Sequence, residues 1–287
     1  MPQDQEPLPT TDHPAHSDQI IIVTRVGSWL GAEIALNLIK SGATVIGIGQ
    51  HSHRINDLRS AMDQGLPTAW RNRFVPIVGL LSDAALCESV LRCIDEQTTE
   101  HRKLAALVVN IGAEDHPAAE LTSTTTDPPF ERWTRLQRSL VQTLPLFHAI
   151  RHLLRRNRCR VVHVAALDDI HNNLPHSVSL AAIKTAVNVM TAEIAIIEPR
   201  VTSLAVHPSL LALEKALEPS SADDTTDDRK VTAAHPAPKT TSGTSYSQSP
   251  NRLNPAAEMI ADLATNADHS MSGQFFMYSE SSFPSSQ

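Results

Sequence analysis

The sequence predicts a doubly wound α/β fold in a single domain, and three observations lead to that prediction. Short apolar runs recur from Gln19 onward, stretches of helical periodicity separate them, and a chain of 287 residues is long enough for one large core. Apolar strands that alternate with helices are typical of a parallel sheet covered on both faces. Because crossovers between parallel strands are right-handed, the expected architecture is of the Rossmann type.

The predicted elements follow one another in a regular order along the chain. The first apolar run reads IIIVT, and the helical stretch after it ends at Gly42. Ser82 and Asp83 can cap the helix that follows the third run. Strands are predicted over residues 20–24, 44–48, 74–78, 104–109, 160–165, 201–206 and 274–277. Helices are predicted over residues 28–40, about 130–154, 178–197 and 255–264.

Two segments lack the pattern of a packed domain. Residues 1–18 are polar and proline-rich, and residues 217–252 are rich in Ser, Thr, Asp and Pro. Such compositions cannot bury enough apolar surface to offset the entropy lost on ordering. A loop as long as the second segment is either functional or disordered, and its composition favours disorder. We therefore predict a disordered tail at 1–18 and a domain at 19–287 that contains a disordered insertion at 217–252.

Composition and charge argue against several classes of partner. A formal net charge of −7 and a pI near 6.0 give no electrostatic reason to expect binding to nucleic acid or to an anionic membrane. No apolar run is long enough to span a bilayer and the N-terminus lacks a secretory signal, so a cytoplasmic location is expected. Cys87, Cys93 and Cys159 have neither metal nor redox spacing, so no metal site is expected and the thiols should be reduced. The basic residues of 151–160 are expected to be structural, at a helix end.

Short motifs stand at fixed places relative to these strands. Thr24 begins the stretch TRVGSWLG after the first strand, and Asn110 begins NIG at the end of the fourth. The helix at 178–197 contains LAAIK, which ends at Lys184, and the sixth strand is followed by HPS. Ser272 begins SGQ before the last strand. In their order and spacing these motifs resemble those of the short-chain dehydrogenases/reductases, over roughly residues 19–278.

The resemblance implies an NAD(P)-binding site at the first turn. The family motif is Thr-Gly-x-x-x-Gly-x-Gly, whose glycines let the backbone approach the cofactor pyrophosphate. Here Arg25 and Trp29 replace two of the glycines and only Gly31 is in place, so weak binding is expected. Arg25 either contacts a phosphate or fills space that the cofactor occupies in other members. The cofactor-binding residues that the resemblance implies are Thr24, Arg25, Gly27, Ser28, Gly31, Arg54, Asn110, Gly112 and Lys184.

The end of the second strand favours NADP over NAD as the cofactor. Family members that use NAD usually carry a carboxylate there, which binds the ribose hydroxyl. This chain reads GQHSHR from Gly49 to Arg54, without a carboxylate. Arg54 is therefore the candidate partner of the 2′-phosphate of NADP.

The resemblance also implies a catalytic tetrad, of which this chain keeps one member. The family's Asn, Ser and Tyr correspond to Leu140, to Ala165 or Ala166, and to Leu180, whereas Lys184 is retained. Reduction of a carbonyl needs a proton donor within hydrogen-bond reach of its oxygen. The candidate replacements on the loop after the fifth strand are Asp168, Asp169, His171 and His176. Of these, Asp168 and His176 join Lys184 as the candidate catalytic residues.

Two functions remain open from the sequence. One is an atypical NADP(H)-binding oxidoreductase that acts on a small carbonyl or alcohol with low or non-standard activity. The other is a catalytically silent protein that serves as a binding or regulatory subunit. The resemblance further implies a homo-oligomer, because family members commonly pair the helices that begin here near Phe130 and Val178 across a two-fold axis.

Overall fold

The computed structural model describes residues 15–111, 134, 137–165, 178–208 and 255–277. Seven strands lie in the described chain, namely β1 (Gln19–Thr24), β2 (Thr44–Gly49), β3 (Phe74–Val78), β4 (Lys103–Ile111), β5 (Arg160–Ala165), β6 (Thr202–His207) and β7 (Phe275–Met277). The helices are α1 (Trp29–Lys40), α2 (Ser52–Gly65), α3 (Thr68–Arg71), α4 (Ala84–Gln97), α5 (Thr143–Asn157), α6 (Val178–Ile197) and α7 (Pro255–Asn266). A 3₁₀ turn spans His269–Met271.

The strands form one sheet in the order β3-β2-β1-β4-β5-β6-β7, and every adjacent pair is parallel. This confirms the predicted doubly wound α/β fold. The order reverses direction between β1 and β4, so a crevice is expected at the carboxyl ends of these two strands. The first turn and Asn110 both lie at this point of the sheet.

Two hydrophobic layers cover the sheet, one on each face. The side chains of β1 alternate between them, with Ile21 and Val23 in one layer and Ile20 and Ile22 in the other. The first layer packs against α1, α2 and α7, and the second against α4, α5 and α6. Burial on both faces explains why the central strands read as unbroken apolar runs.

The structure differs from the sequence-based expectation between β2 and β3 and before α5. Helix α2 was not predicted, because only three of its side chains are buried and no long apolar stripe marks it. The helix expected over about 130–154 is helical at residues 137–141, turns at Gln142 and resumes as α5. Pro145 has no N–H to donate to the carbonyl four residues earlier, which accounts for the turn. Helix α5 then continues past Leu154 to Asn157.

The described residues bear on several smaller expectations. Asp83 caps α4, since its carboxylate accepts from the amide of Ala85 at 3.0 Å. All three cysteines are free and buried. No helix among the described residues is both long and apolar enough to cross a membrane. Residues 15–18, within the predicted tail, form a turn whose His16 amide donates to the carbonyl of Ser41 at 3.3 Å.

The basic cluster at the end of α5 has a structural partner. The carboxylate of Glu198, which is almost fully buried, accepts from Arg151 and lies 3.1 Å from Nε of Arg155. This ion-pair group joins the last turns of α5 to the residue that follows α6. Arg160 donates to the carbonyl of Ala267 at 2.9 Å. Arg151, Arg155 and Arg160 of this cluster therefore bind neighbouring elements of the fold.

Candidate cofactor and active site

The turn between β1 and α1 keeps a backbone shape that glycine normally supplies. Arg25 adopts a left-handed conformation with φ of 55°, which a non-glycine residue enters at an energetic cost. The amide of Val26 donates to the carbonyl of Ile48 at 3.1 Å and so ties the turn to β2. The Ser28 hydroxyl donates to the Arg25 carbonyl at 2.8 Å. The chain therefore turns tightly at the end of β1, and α1 begins beside that strand end.

Gly31 occupies a position where a side chain would not fit. A Cβ built there would overlap the carbonyl oxygen of Arg25 and lie 2.9 Å from its carbonyl carbon. The Gly31 amide donates to Oγ of Ser28 at 3.1 Å, so this serine caps α1. The first turn of α1 carries no acidic side chain. The positive end of the helix dipole is thus available to an anion at the turn.

Arg54 lies against the same turn. It belongs to the first turn of α2, and its Cβ and Cδ would be 3.4 Å and 3.6 Å from a Cβ placed on Gly27. Neither of the two residues that connect β2 to α2, Gln50 and His51, carries a carboxylate, and the first turn of α2 has no acidic side chain. The fold therefore brings Gly27, Ser28, Gly31 and Arg54 together around one turn.

A small pocket opens at the carboxyl ends of β2 and β3. Its lining includes Arg25, Gly49, Gln50, Gly79, Leu80 and Gln142. Its volume is about 10 Å³, which is the space of roughly one water molecule. Ligand pockets usually measure about 300–1,000 Å³. The pocket is therefore smaller than a nucleotide base.

Asn110 holds the end of β4 to the end of β1. Its backbone N–H donates to Oγ1 of Thr24 at 2.9 Å, and its side-chain Nδ2 donates to the backbone carbonyl of Thr24 at 2.7 Å. Both residues are buried. The side-chain oxygen of Asn110 is buried and accepts no hydrogen bond within the described chain. A buried acceptor of this kind at the crevice suits a ligand that donates a hydrogen bond.

Lys184 is half-buried on α6, and its charge acts on a histidine of β6. Asn188, one turn further along the helix, lies 2.9 Å through its Oδ1 from Nε2 of His207. Burial first and the charge of Lys184 second lower the pKa of His207 to about 4. His207 is 4% exposed, and its Nδ1 is buried without a hydrogen-bond partner in the part of the chain that the structure describes.

A second buried histidine lies on the same face of the sheet. His163 of β5 is 2% exposed, and its Nδ1 lies 3.1 Å from Oγ1 of Thr191 on α6. Burial lowers the pKa of His163 to about 4, against a smaller opposing effect of the Leu204 backbone. His163 and His207 thus both present neutral imidazoles to α6 at neutral pH.

Comparison with known proteins places this fold and this order of motifs in a family. The family model described as short chain dehydrogenase matches residues 19–213. The chain belongs to the short chain dehydrogenase family. No curated protein sequence matches it.

Solved short-chain dehydrogenase structures resemble it in fold. A short chain dehydrogenase from Bacillus anthracis is 15% identical, with 93% of this chain and 99% of that chain covered and a TM-score of 0.59. The RhlG protein of Pseudomonas aeruginosa, solved as an NADP active-site complex, is 16% identical over 92% of this chain and 97% of that chain, with a TM-score of 0.60. A short chain dehydrogenase from Mycobacterium smegmatis is 20% identical over 93% and 94%, with a TM-score of 0.58.

Three of the residues predicted to correspond to the family tetrad are apolar and lie within the described chain of this short-chain dehydrogenase. Leu140 is half-buried and packs against the hydrophobic layer that α5 covers. Ala165, the last residue of β5, is 1% exposed. Leu180 lies in the first turn of α6, four residues before Lys184. None of these side chains can donate or accept a proton.

The remaining candidates lie outside the described residues. Ala166 and the proposed replacements on the following loop, Asp168, Asp169, His171 and His176, fall there, as does Gly112. The pairing of His207 with Asn188, in contrast, was not foreseen from the sequence. The spacing of Lys184 and Asn188 could have indicated that Asn188 lies on the same helix face as Lys184, because residues four apart share a helix face. It could not have identified His207 as the partner of Asn188.

Proposed function

We propose that this chain is an atypical NADP(H)-binding oxidoreductase, acting on a small carbonyl or alcohol with low or non-standard activity. The observation that carries the proposal is the turn after β1. Arg25 stands at the position of a family glycine yet keeps a left-handed backbone with φ of 55°. Gly31 permits the close approach of the Arg25 carbonyl. A dinucleotide-binding turn has therefore kept its shape while losing glycine, which supports weakened binding rather than none.

The surroundings of the turn support NADP as the preferred cofactor. Arg54 lies beside Gly27, and no carboxylate stands between β2 and α2. A guanidinium matches the geometry and charge of a 2′-phosphate, and a missing carboxylate removes the usual contact with an NAD ribose. In this proposal Thr24, Gly27, Ser28, Gly31 and Arg54 hold the adenosine and pyrophosphate half.

Three further residues would complete the cofactor site. Asn110 supports β4 beside the turn, and Gly112 follows it in the sequence. Lys184 would hold the nicotinamide ribose, as the resemblance implies. Bound NADPH would supply a hydride. The proton would have to come from a replacement acid, for which Asp168 and His176 are the candidates. Without such an acid, turnover would be slow.

A catalytically silent binding or regulatory subunit is the second candidate function. The pocket of about 10 Å³ at the ends of β2 and β3 favours it, because a nucleotide base does not enter without rearrangement. In this case Arg25 and Gln142 would occupy space that the cofactor uses in other members. The two functions differ in one measurable quantity, the affinity for NADPH.

Titration calorimetry with NADPH and NADH tests the proposal. We expect NADPH to bind with micromolar or weaker affinity and more tightly than NADH. Arg54→Ala should remove most of this preference, whereas Arg59→Ala, an exposed arginine of the same helix, should leave it unchanged. Tight NADH binding by the unaltered chain would contradict the NADP preference. No binding of either cofactor would favour the silent subunit.

We also propose that the chain is a homo-oligomer that pairs through α5 and α6. Helix α6 exposes Val189, Ile196 and Ile197. Leu144 of α5 and Val141 of the helical segment before it are also exposed. Exposed apolar side chains on two neighbouring helices favour a self-complementary interface. Sedimentation at micromolar concentration tests this, and a monomer would argue against it.

The predicted layout and location complete the proposal. We propose a tail at 1–18, a domain at 19–287 with an insertion at 217–252, and a cytoplasmic protein whose partner is a small molecule or none, without nucleic acid. The acidic balance of the sequence, with a net charge of −7, supports the last point. Limited proteolysis tests the layout, because cleavage should concentrate in 1–18 and 217–252.

A further inference from the structure

Two histidines stand together on the outer face of α5. His148 and His152 are four residues apart in this helix, and both side chains are exposed. Helix residues at this spacing lie on one face, with Cβ atoms about 5–6 Å apart. Two histidines placed in this way can bind one metal ion, as they do in the His-Glu-x-x-His motif of zinc enzymes.

Both imidazoles are available for coordination. The ring of His148 meets the ring of Phe147 edge-on, with centroids 6.1 Å apart. In the part of the chain that the structure describes, neither histidine takes part in a hydrogen bond or an ion pair. A ring nitrogen of each can therefore bind a metal ion without breaking an existing bond.

The arginines nearest to this pair are bound to a carboxylate. Arg151 and Arg155 stand on either side of His152 in the helix, and the buried carboxylate of Glu198 binds both of them. This pairing lowers the positive potential that a metal ion would meet at the histidines. Arg156, one turn beyond His152, is exposed and repels a cation. A single helix should therefore hold a metal ion weakly.

Two imidazoles do not complete a metal site. Zinc in a structural site takes four ligands in a tetrahedron. Among the described residues, no group of three or more His, Cys, Asp or Glu side chains is placed to hold a metal ion. The cysteines, whose spacing led us to expect no metal site, are buried and take no part. The two missing ligands can come from a second copy of the chain.

A second copy of the chain fits this face. Leu144, four residues before His148, continues the histidine stripe and is 38% exposed, and Val189 and Ile196 of α6 are also exposed. A two-fold axis at the histidines sets one α5 antiparallel to the other, so the arginine ends of the two helices lie apart. Residues next to such an axis meet their own equivalents. Four imidazoles, two from each chain, then surround one point.

We propose that His148 and His152, together with the same two residues of a second copy, bind one Zn²⁺ ion that links two chains into a dimer. Imidazole nitrogens in a tetrahedral arrangement suit Zn²⁺. A site closed by four protein ligands leaves no position for a substrate, so the ion holds the dimer and takes no part in catalysis. The site rests on the proposed pairing through α5 and α6, and it is independent of NADP(H) binding.

Sedimentation with and without zinc tests the site. The full chain, without an affinity tag, is freed of metal with a chelator, and zinc chloride is then added while calorimetry measures the stoichiometry. We expect one zinc ion per two chains. Because the complete site exists only in the dimer, Zn²⁺ at about a hundred times its Kd should tighten dimerisation about a hundredfold by mass action. His148→Gln combined with His152→Gln should remove both the binding and the tightening.

His51→Gln combined with His53→Gln is the matched control. These two histidines are also neighbours, with ring centroids 5.6 Å apart, but they belong to α2 and its N-cap. The control should keep the tightening by zinc. Loss of the tightening in both double variants, or one zinc ion per chain without a change in dimerisation, would mean an adventitious ion only and would overturn the proposal. Absence of zinc binding would overturn it as well.

X-ray absorption of the zinc complex counts the ligands directly. We expect four imidazole nitrogens at about 2.0–2.1 Å, whereas a single helix supplies two and would overturn the proposal. Sedimentation separates the metal site from the pairing on which it rests. A chain that stays monomeric with zinc would overturn both. A dimer that forms in chelator and responds to neither zinc nor the α5 double variant would leave the pairing standing and overturn the metal site.

Discussion

Replacement of Arg25 by glycine tests whether this turn is a cofactor turn under strain. Arg25 has φ of 55°, in the left-handed region, where a non-glycine residue costs about 1–2 kcal/mol. Glycine loses more freedom on folding, which offsets part of that gain. We therefore expect Arg25→Gly to raise the free energy of unfolding by about 1 kcal/mol, or about 2 °C in Tm. Urea denaturation and a thermal melt measure both quantities.

Arg158→Gly is the matched control for this variant. Arg158 caps the end of α5 with φ of 54°, nearly the angle of Arg25, but does not line the pocket. Both variants should gain similar stability, whereas only Arg25→Gly widens the pocket and should tighten NADPH binding. Adding Trp29→Gly should tighten it further. Weaker NADPH binding in Arg25→Gly would refute this reasoning, because Arg25 would then contact a phosphate.

Three other predictions concern stability. The pKa of His163 is near 4 in the fold against 6.5 in the unfolded chain. Between these pH values the unfolded state binds more protons than the folded state. The contribution of neutral His163 to the free energy of unfolding is therefore full above pH 6.5 and is lost as the pH falls. Urea denaturation at pH 5 should show a loss of about 2 kcal/mol from His163 and a similar loss from His207, and His163→Phe should remove about half of the total. Gly31→Ala should cost about 3 kcal/mol because its methyl group overlaps a backbone carbonyl. Gly65→Ala, at a position with no atom within 4 Å, should cost nothing. Glu198→Gln should lower the free energy of unfolding by roughly 2 kcal/mol, measured by chemical denaturation, because it leaves two half-exposed arginines unpaired beside a buried amide. A change below about 0.5 kcal/mol would mean that solvent screens this ion-pair group.

The elements that the sequence predicted best are the ones whose burial leaves a continuous pattern. Strands β3 and β5 and helix α6 were predicted to the residue, because unbroken apolar runs and a long helical repeat mark them. Helix α2 was missed because its buried side is narrow, with Ile55, Leu58 and Met62 alone. Its placement depends on packing against strands already formed, which local patterns do not encode.

The candidate site shows the same division between local and long-range information. The motifs placed the first turn and Lys184, since these depend on short stretches next to predicted strands. The left-handed backbone of Arg25 could not be predicted, because arginine carries no preference for that region. The bond between His207 and Asn188 joins a strand end to a helix 19 residues earlier, and no periodicity links the two. Such pairings arise from the register of α6 on β6.

Restoring the missing proton donor is the most direct test of what the chain has lost. The variant is Ala166→Ser with Leu180→Tyr. Leu180 lies four residues before Lys184 on α6, so a phenol there would share a helix face with the ammonium, which would lower the phenol pKa. General acid catalysis contributes about 10²–10⁴ in rate. If NADPH binds, we expect a gain of about that size in NADPH-dependent reduction of a panel of small ketones, followed by absorbance. Ala166→Ser with Leu180→Phe keeps the ring without the hydroxyl and should show no gain. Lys184→Met should abolish the gain in the tyrosine variant, because the phenol then lacks the charge that favours its ionised form. Brisk reduction by the unaltered chain would contradict the premise that its proton donor is missing, and loss of that activity in Asp168→Ala or His176→Ala would then identify the acid that replaced it.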